Sequence, residues 1–212
     1  WLAITNIAMD ERSPEAMDAA VKVLEKGAPE MGFALADNHK SYKKYTMMRD
    51  VCVAQGQPAD HADIVSRRQQ GYNTTFYVCC GPLYPNTFTY SNPFEAELLG
   101  WYGLSCDYDG MLRWAYNSWP ENPQYDSRFG NWSSADTYLV YPYNRSSIRF
   151  ERLIDGIEVA EKVRALRKAG VDTSEVEAAL DKIRATNLND SQQPWQQIVA
   201  EAREALNIVS RK

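Results

Sequence analysis

The feature that most constrains this chain is a repeated hand-over between short apolar runs and helical stripes through its first half. Residues 2–9 (Leu-Ala-Ile-Thr-Asn-Ile-Ala-Met) are apolar enough for a strand buried on both faces. Ser13-Pro14 then offers a helix cap with proline at the first helical position. Ala16, Ala20, Val23 and Leu24 continue as an apolar helical stripe that ends near Gly27. Residues 32–36 read as a second strand, 41–49 as a helix and 50–54 as a third strand. Residues 62–70 make a short helix closed by Gly71, and 74–80 carry the strongest strand pattern in the chain. A helix over 94–104 and a strand over 111–116 follow. Five strands joined by helices predict an α/β fold built of parallel βα units, either an open sheet or an arc of a (β/α)8 barrel.

The last third changes character. Residues 138–140 and 147–150 are apolar or β-prone, and from Leu153 the pattern is helical to the end. Helices are expected over 153–169, 174–186 and 193–209, separated by Gly170 and by residues 187–191. Thr173 or Ser174 can cap the second, and Pro194 suits the first turn of the third. The expected division is therefore a barrel-like part over 1–152, and a closing helix with a C-terminal helical extension over 153–212.

Composition narrows the function classes. With 212 residues, 44% of them apolar, the chain can bury one good-sized core. A net charge of −5 argues against a nucleic-acid surface. No apolar run reaches the roughly 18 residues of a membrane span. Cys52, Cys79, Cys80 and Cys106 lack CxxC spacing, and His39 and His61 are the only histidines, so no metal site and no cofactor are expected. Cys79 and Cys80 sit in an apolar run and read as buried free thiols. The chain begins at Trp1, in what reads as mid-strand, and is taken as a fragment of a longer protein.

Two features bear on chemistry. Of 25 aromatic residues, 20 lie between Tyr72 and Phe150, many among Asn, Asp, Gly and Pro. Sugar rings stack their C–H faces on aromatic side chains, although packing around a large loop would also gather them. The second feature is Met9-Asp10-Glu11-Arg12-Ser13-Pro14, two carboxylates between a strand and a helix cap. Taken alone, such a pair is a favourable charge at a helix N-terminus. In a (β/α)8 barrel it would lie on the C-terminal rim, where active sites form. Adjacent acids do not suit the two-carboxylate arrangements that flank a scissile bond, but they are compatible with substrate-assisted glycoside hydrolysis. There one acid protonates the glycosidic oxygen, the substrate's acetamide oxygen attacks the anomeric carbon, and the second carboxylate steadies the acetamide.

Four blocks in order carry a family resemblance: residues 75–86 (Thr-Phe-Tyr-Val-Cys-Cys-Gly-Pro-Leu-Tyr-Pro-Asn), 109–119 (Asp-Gly-Met-Leu-Arg-Trp-Ala-Tyr-Asn-Ser-Trp), 136–142 and 147–158. Together they resemble the catalytic region of glycoside hydrolase family 123, the β-N-acetylgalactosaminidases, and a related bacterial domain of unknown function that shares its C-terminal half. The resemblance covers roughly residues 1–165. It implies a partial (β/α)8 TIM barrel, entered near the fourth strand and running to the eighth, followed by C-terminal helices. It implies retaining, substrate-assisted removal of a terminal β-linked N-acetylhexosamine, with a catalytically silent carbohydrate-binding relative as the alternative. The family's catalytic dyad falls on Asp10, which would orient the acetamido group, and Glu11, the general acid/base.

Other placements follow from the same resemblance. Trp114, Asn117 and Trp119 would wall the sugar pocket, unless Trp114 packs in the core. Tyr77, or its rival Tyr116, would donate a hydroxyl to the acetamide oxygen. Asp37 and Asn38 would bind sugar hydroxyls or cap a loop, whereas Asp136, Arg149 and Glu151 read as a structural ion network. The expected partner is a carbohydrate, with no nucleic acid and no membrane span. Five strands of eight leave an open barrel, so a homo-oligomer paired through the edges, or rearrangement into an open sheet, is expected, and so is low activity of the fragment alone. The resemblance also favours an exported bacterial protein. One departure is Glu97, standing near a place where family members tend to carry arginine.

Overall fold

The structure, a computed structural model, describes residues 1, 4–37, 40–45 and 47–211, with the backbone alone for Asp37. The chain forms two compact units, Trp1–Tyr77 with Asp107–Leu112, and Val78–Cys106 with Arg113–Lys212.

The first unit is built on a five-stranded sheet. Strands β1 (Asn6–Asp10), β2 (Gly32–Asp37), β3 (Met48–Ala54), β4 (Asn73–Val78) and β5 (Gly110–Arg113) lie in sequential order, β1-β2-β3-β4-β5. Strands β1 to β4 pair in parallel, with Asp10 opposite Ala36, Asp37 opposite Val53 and Ala54 opposite Tyr77. Sequential parallel order is how an arc of a (β/α)8 barrel is laid down. Helix α1 (Pro14–Gly27) starts where Ser13 accepts the Ala16 N–H, with Pro14 in the first turn, and buries Met17 and Val21. Helix α2 (His61–Gln69) buries Ile64 and Arg67. Phe33, Met48, Val51, Val53, Phe76 and Tyr108, each 2% exposed or less, complete the apolar core.

Arg67 ties this unit together from inside. Its guanidinium donates to Thr74 Oγ1 (2.9 Å) and to the carbonyls of Met48 (2.9 Å), Arg49 (3.2 Å) and Asn73 (3.0 Å). These are the N-terminal ends of β3 and β4, so one side chain satisfies backbone acceptors at the start of both strands.

The helix expected over residues 41–49 is a single 3₁₀ turn, Ser41–Lys43. Tyr42 and Tyr45 are buried, and their hydroxyls donate to Asp63 and Asp18, on α2 and α1. Lys43 and Lys44 pair with Asp60, Asp63 and Asp18. These side-chain anchors hold the short turn, and from Met48 the backbone pairs with Phe33 in the sheet. Strand pairing overrides a helical pattern here.

The second unit is mainly helical. Helix α3 (Pro93–Ser105) opens with a capping box between Asn92 and Glu95 and is buried along most of its length, including Leu98, Leu99, Trp101 and Leu104. Helix α4 (Ile148–Lys168) begins at the Ser147 cap, so residues 147–150 start a helix and not an extended segment. The Ser147 hydroxyl accepts from Phe150 N (3.1 Å), which settles the local choice. Helices α3 and α4 cross at glycines: a Cβ on Gly100 would stand 2.4 Å from the carbonyl carbon of Gly156. Helices α5 (Ser174–Ala185) and α6 (Trp195–Val209) bury Val176, Leu180, Ile183, Trp195, Val199 and Leu206. Thr173 is the cap position of α5, but it is the Asp172 carboxylate that accepts the Ser174 N–H, at 3.0 Å. Among the described residues, no helix is long and apolar enough to cross a membrane.

Candidate active site

Asp10 is the last residue of β1 and Glu11 the first beyond it, at the C-terminal edge of the sheet. Consecutive side chains on a strand point to opposite faces. The alternation ends here, because Glu11 adopts φ 36° while its N–H donates to the Ala36 carbonyl at 3.0 Å. A left-handed backbone at a non-glycine residue costs about 1 kcal/mol or more and recurs at functional sites. Both carboxylates are exposed, and among the described residues neither is in an ion pair.

Tyr77 closes the arrangement within the same unit. It is 6% exposed, and its hydroxyl donates to Oε1 of Glu11. The hydroxyl that the resemblance assigns to a substrate acetamide is thus directed at the acid. Gln55 lies next to Tyr77, since its N–H donates to the Tyr77 carbonyl at 3.0 Å. Gln55 is 4% exposed, and among the described residues its side-chain Oε1 has no partner. A buried amide oxygen left unsatisfied at a strand end has unused hydrogen-bonding capacity. The sequence carried no signal for it, because only the strand pairing brings Gln55 beside Tyr77. The Asp37 side chain and all of Asn38 lie outside the described residues.

The other expected residues belong to the second unit. Tyr116, Asn117 and Trp119 line a groove of about 340 Å³ together with Tyr141, Tyr143 and Arg145. Trp119 is held by its indole N–H, which donates to the Val140 carbonyl at 2.7 Å, and Tyr116 meets Phe150 edge-on at 5.7 Å. Tyr141 and Arg145 bridge across a tight turn whose central residues Tyr143 and Asn144 have φ 64° and 57°. Two consecutive positive φ values fit a type I′ hairpin turn, which leaves Tyr143 88% exposed.

Trp114 is not a core residue. It is 37% exposed, lies just past β5 and packs on Trp132 with ring centroids 4.7 Å apart. Its indole N–H donates to Asp136 Oδ1 at 3.1 Å, and Arg113 pairs with the same oxygen at 2.9 Å. The expected network of Asp136, Arg149 and Glu151 does not form. Arg149 instead donates to the carbonyls of Thr87, Ala135 and Tyr138, and Glu151 accepts from Ser146. Buried, Arg149 finds backbone acceptors within reach, and Asp136 is already taken by Arg113.

Glu97 is also structural. It is 3% exposed and accepts from Arg203 Nε (2.8 Å) and from the Trp101 indole (3.1 Å), which joins α3 to α6. All four cysteines are free, but Cys80 is exposed and Cys79 intermediate, because the strand ends at Val78 and both lie in the loop beyond it. Among the described residues, no group of three or more His, Cys, Asp or Glu side chains could hold a metal ion.

An arc of parallel strands with paired acids at its C-terminal edge matches the rim of a (β/α)8 barrel, where active sites of that class of enzyme form. The model of the glycoside hydrolase 123 catalytic domain matches residues 1–166, and the chain belongs to that family. A solved family 123 glycoside hydrolase from Clostridium perfringens, described in terms of glycolipid glycan hydrolysis, matches with a TM-score of 0.83 and 26% identity. The match covers 100% of this chain and 41% of that one, so the chain spans about two-fifths of the relative's length. No curated protein matches.

Proposed function

We propose that the protein containing this chain is a retaining glycoside hydrolase that removes a terminal β-linked N-acetylhexosamine, N-acetylgalactosamine in particular, by substrate-assisted catalysis. The hydrogen bond from Tyr77 to Glu11, next in sequence to the exposed Asp10, carries the reading. Glu11 gives its proton to the glycosidic oxygen as the bond to the anomeric carbon breaks. The acetamide oxygen of the substrate attacks that carbon from the opposite face, and Asp10 accepts the acetamide N–H and balances the positive charge of the ring so formed. Glu11 then takes a proton from water, which opens the ring and restores the β configuration. The Tyr77 hydroxyl holds the Glu11 carboxyl in one orientation through this exchange of roles.

Asp37 and Asn38 are proposed to hold sugar hydroxyls, and Trp114, Tyr116, Asn117 and Trp119 to supply sugar-stacking and hydrogen-bonding contacts. Exposed aromatics held by hydrogen bonds from their polar tips are suited to that work. We also propose that residues 1–212 alone have little activity, because strands beyond these five would supply part of the pocket. The free edges of the sheet would favour a homo-oligomer. Export to the periplasm or cell surface of a bacterium is part of the same proposal.

Proton NMR during hydrolysis of an aryl β-N-acetylgalactosaminide by the full-length protein tests the route. The β anomer of the free sugar is expected first, with no azide-trapped product from Asp10→Ala. An α anomer formed first would overturn it. The groove around Trp119 favours a second reading, a carbohydrate-binding relative without hydrolysis. Saturable sugar binding without turnover by the full-length protein would select it.

A further inference from the structure

We propose that Cys79 and Cys80 form a dithiol site that reacts with small-molecule disulfides of the glutathione class and closes to a vicinal disulfide. Neighbouring side chains on a strand diverge to opposite faces. Here β4 ends at Val78, the chain bends, and the two sulfur atoms converge to 3.7 Å. The bend is held by Asn86, which is fully buried and donates to the carbonyls of Cys79 (2.8 Å) and Pro82 (2.7 Å). Glu95 accepts the Asn86 N–H at 2.9 Å, so the loop is fixed to the start of α3.

The two thiols differ in access. Cys80 is exposed and meets a solvent-borne disulfide first. Cys79 is half-buried, burial pushes its thiol up from the ordinary range, and its sulfur is in contact with that of Cys80. The remaining cysteines do not compete: Cys52 is 5% exposed with its thiol pushed up to about 11, and burial raises Cys106 as well.

The exchange balances in two steps. The Cys80 thiolate attacks one sulfur of glutathione disulfide, the S–S bond breaks, and one glutathione leaves with both electrons of that bond. The Cys79 thiolate then attacks the Cys80 sulfur and displaces the second glutathione. Two cysteine thiols become one disulfide, one glutathione disulfide becomes two thiols, and the two cysteine protons pass to the released thiolates. Neighbouring Cα atoms stand about 3.8 Å apart, closer than an unstrained bridge prefers, so a reducing dithiol should reopen the bond readily.

The test is to incubate the full chain with glutathione disulfide, alkylate it under denaturing conditions and map the peptides by mass. The peptide holding both residues should lack both alkyl groups and two hydrogens, while Cys52 and Cys106 are alkylated. Cys79→Ser should retain glutathione on Cys80, because the displacing thiol is gone. A stable glutathione adduct on Cys80 of the parent chain, disulfide-linked dimers, or full alkylation of both thiols would overturn the proposal.

Discussion

The Tyr77 hydroxyl, near the end of β4, donates to Oε1 of Glu11, which lies 66 positions earlier in the chain just past β1. The two strands are not neighbours in the sheet, since β2 and β3 lie between them. A bond across that gap needs both side chains on one face at the C-terminal edge. Glu11 reaches it through its left-handed backbone, and Tyr77 through the pleat of β4.

Tyr77→Phe removes this bond and keeps the ring in place. Hydrogen bonds to charged groups contribute about 1.5–3 kcal/mol, so kcat/KM of the full-length protein should fall by roughly 10- to 100-fold. The same bond is made in the folded free enzyme, so the urea midpoint should fall too, by at most about 3 kcal/mol of stability. Steady-state kinetics on an aryl β-N-acetylgalactosaminide measure the first and a denaturation curve the second.

Gly100→Ala tests the α3–α4 crossing. The added methyl would meet Gly156 backbone at 2.4–2.5 Å, and backbone cannot turn aside as a flexible side chain could. Destabilisation of about 3 kcal/mol is expected, in the range of overpacked cores. Tryptophan fluorescence reports it well, because five of the six tryptophans lie in the second unit.

Arg67→Met should destabilise the first unit by about 3 kcal/mol. The apolar stem is replaced, but Thr74 Oγ1 and three strand carbonyls lose their donor. Urea denaturation followed by circular dichroism reads the change. A loss under about 1 kcal/mol would mean that water replaces the guanidinium.

The alternation of strands and helices was legible because period-2 and period-3.6 patterns are local. The Ser13 cap and the stop at Gly27 were legible for the same reason. Residues 41–49 were not, since Tyr42, Tyr45 and the lysines beside them answer to aspartates on two helices distant in sequence. Asp10 and Glu11 were visible as an acidic pair, but the Tyr77 bond that singles out Glu11 was not. The exposed indole of Trp114 and its bond to Asp136, 22 positions away, likewise depend on chain folding. Motif order identified the family; hydrogen-bond partners required coordinates.

The most direct measurement compares the full-length protein and its Glu11→Gln variant on an alkyl β-N-acetylgalactosaminide, whose leaving group needs a proton. General acid catalysis contributes roughly 10²- to 10⁴-fold, so a loss of that order is expected, smaller on a nitrophenyl glycoside that leaves unaided. Equal cleavage of the alkyl glycoside by parent and variant would contradict the assignment of Glu11 as the acid.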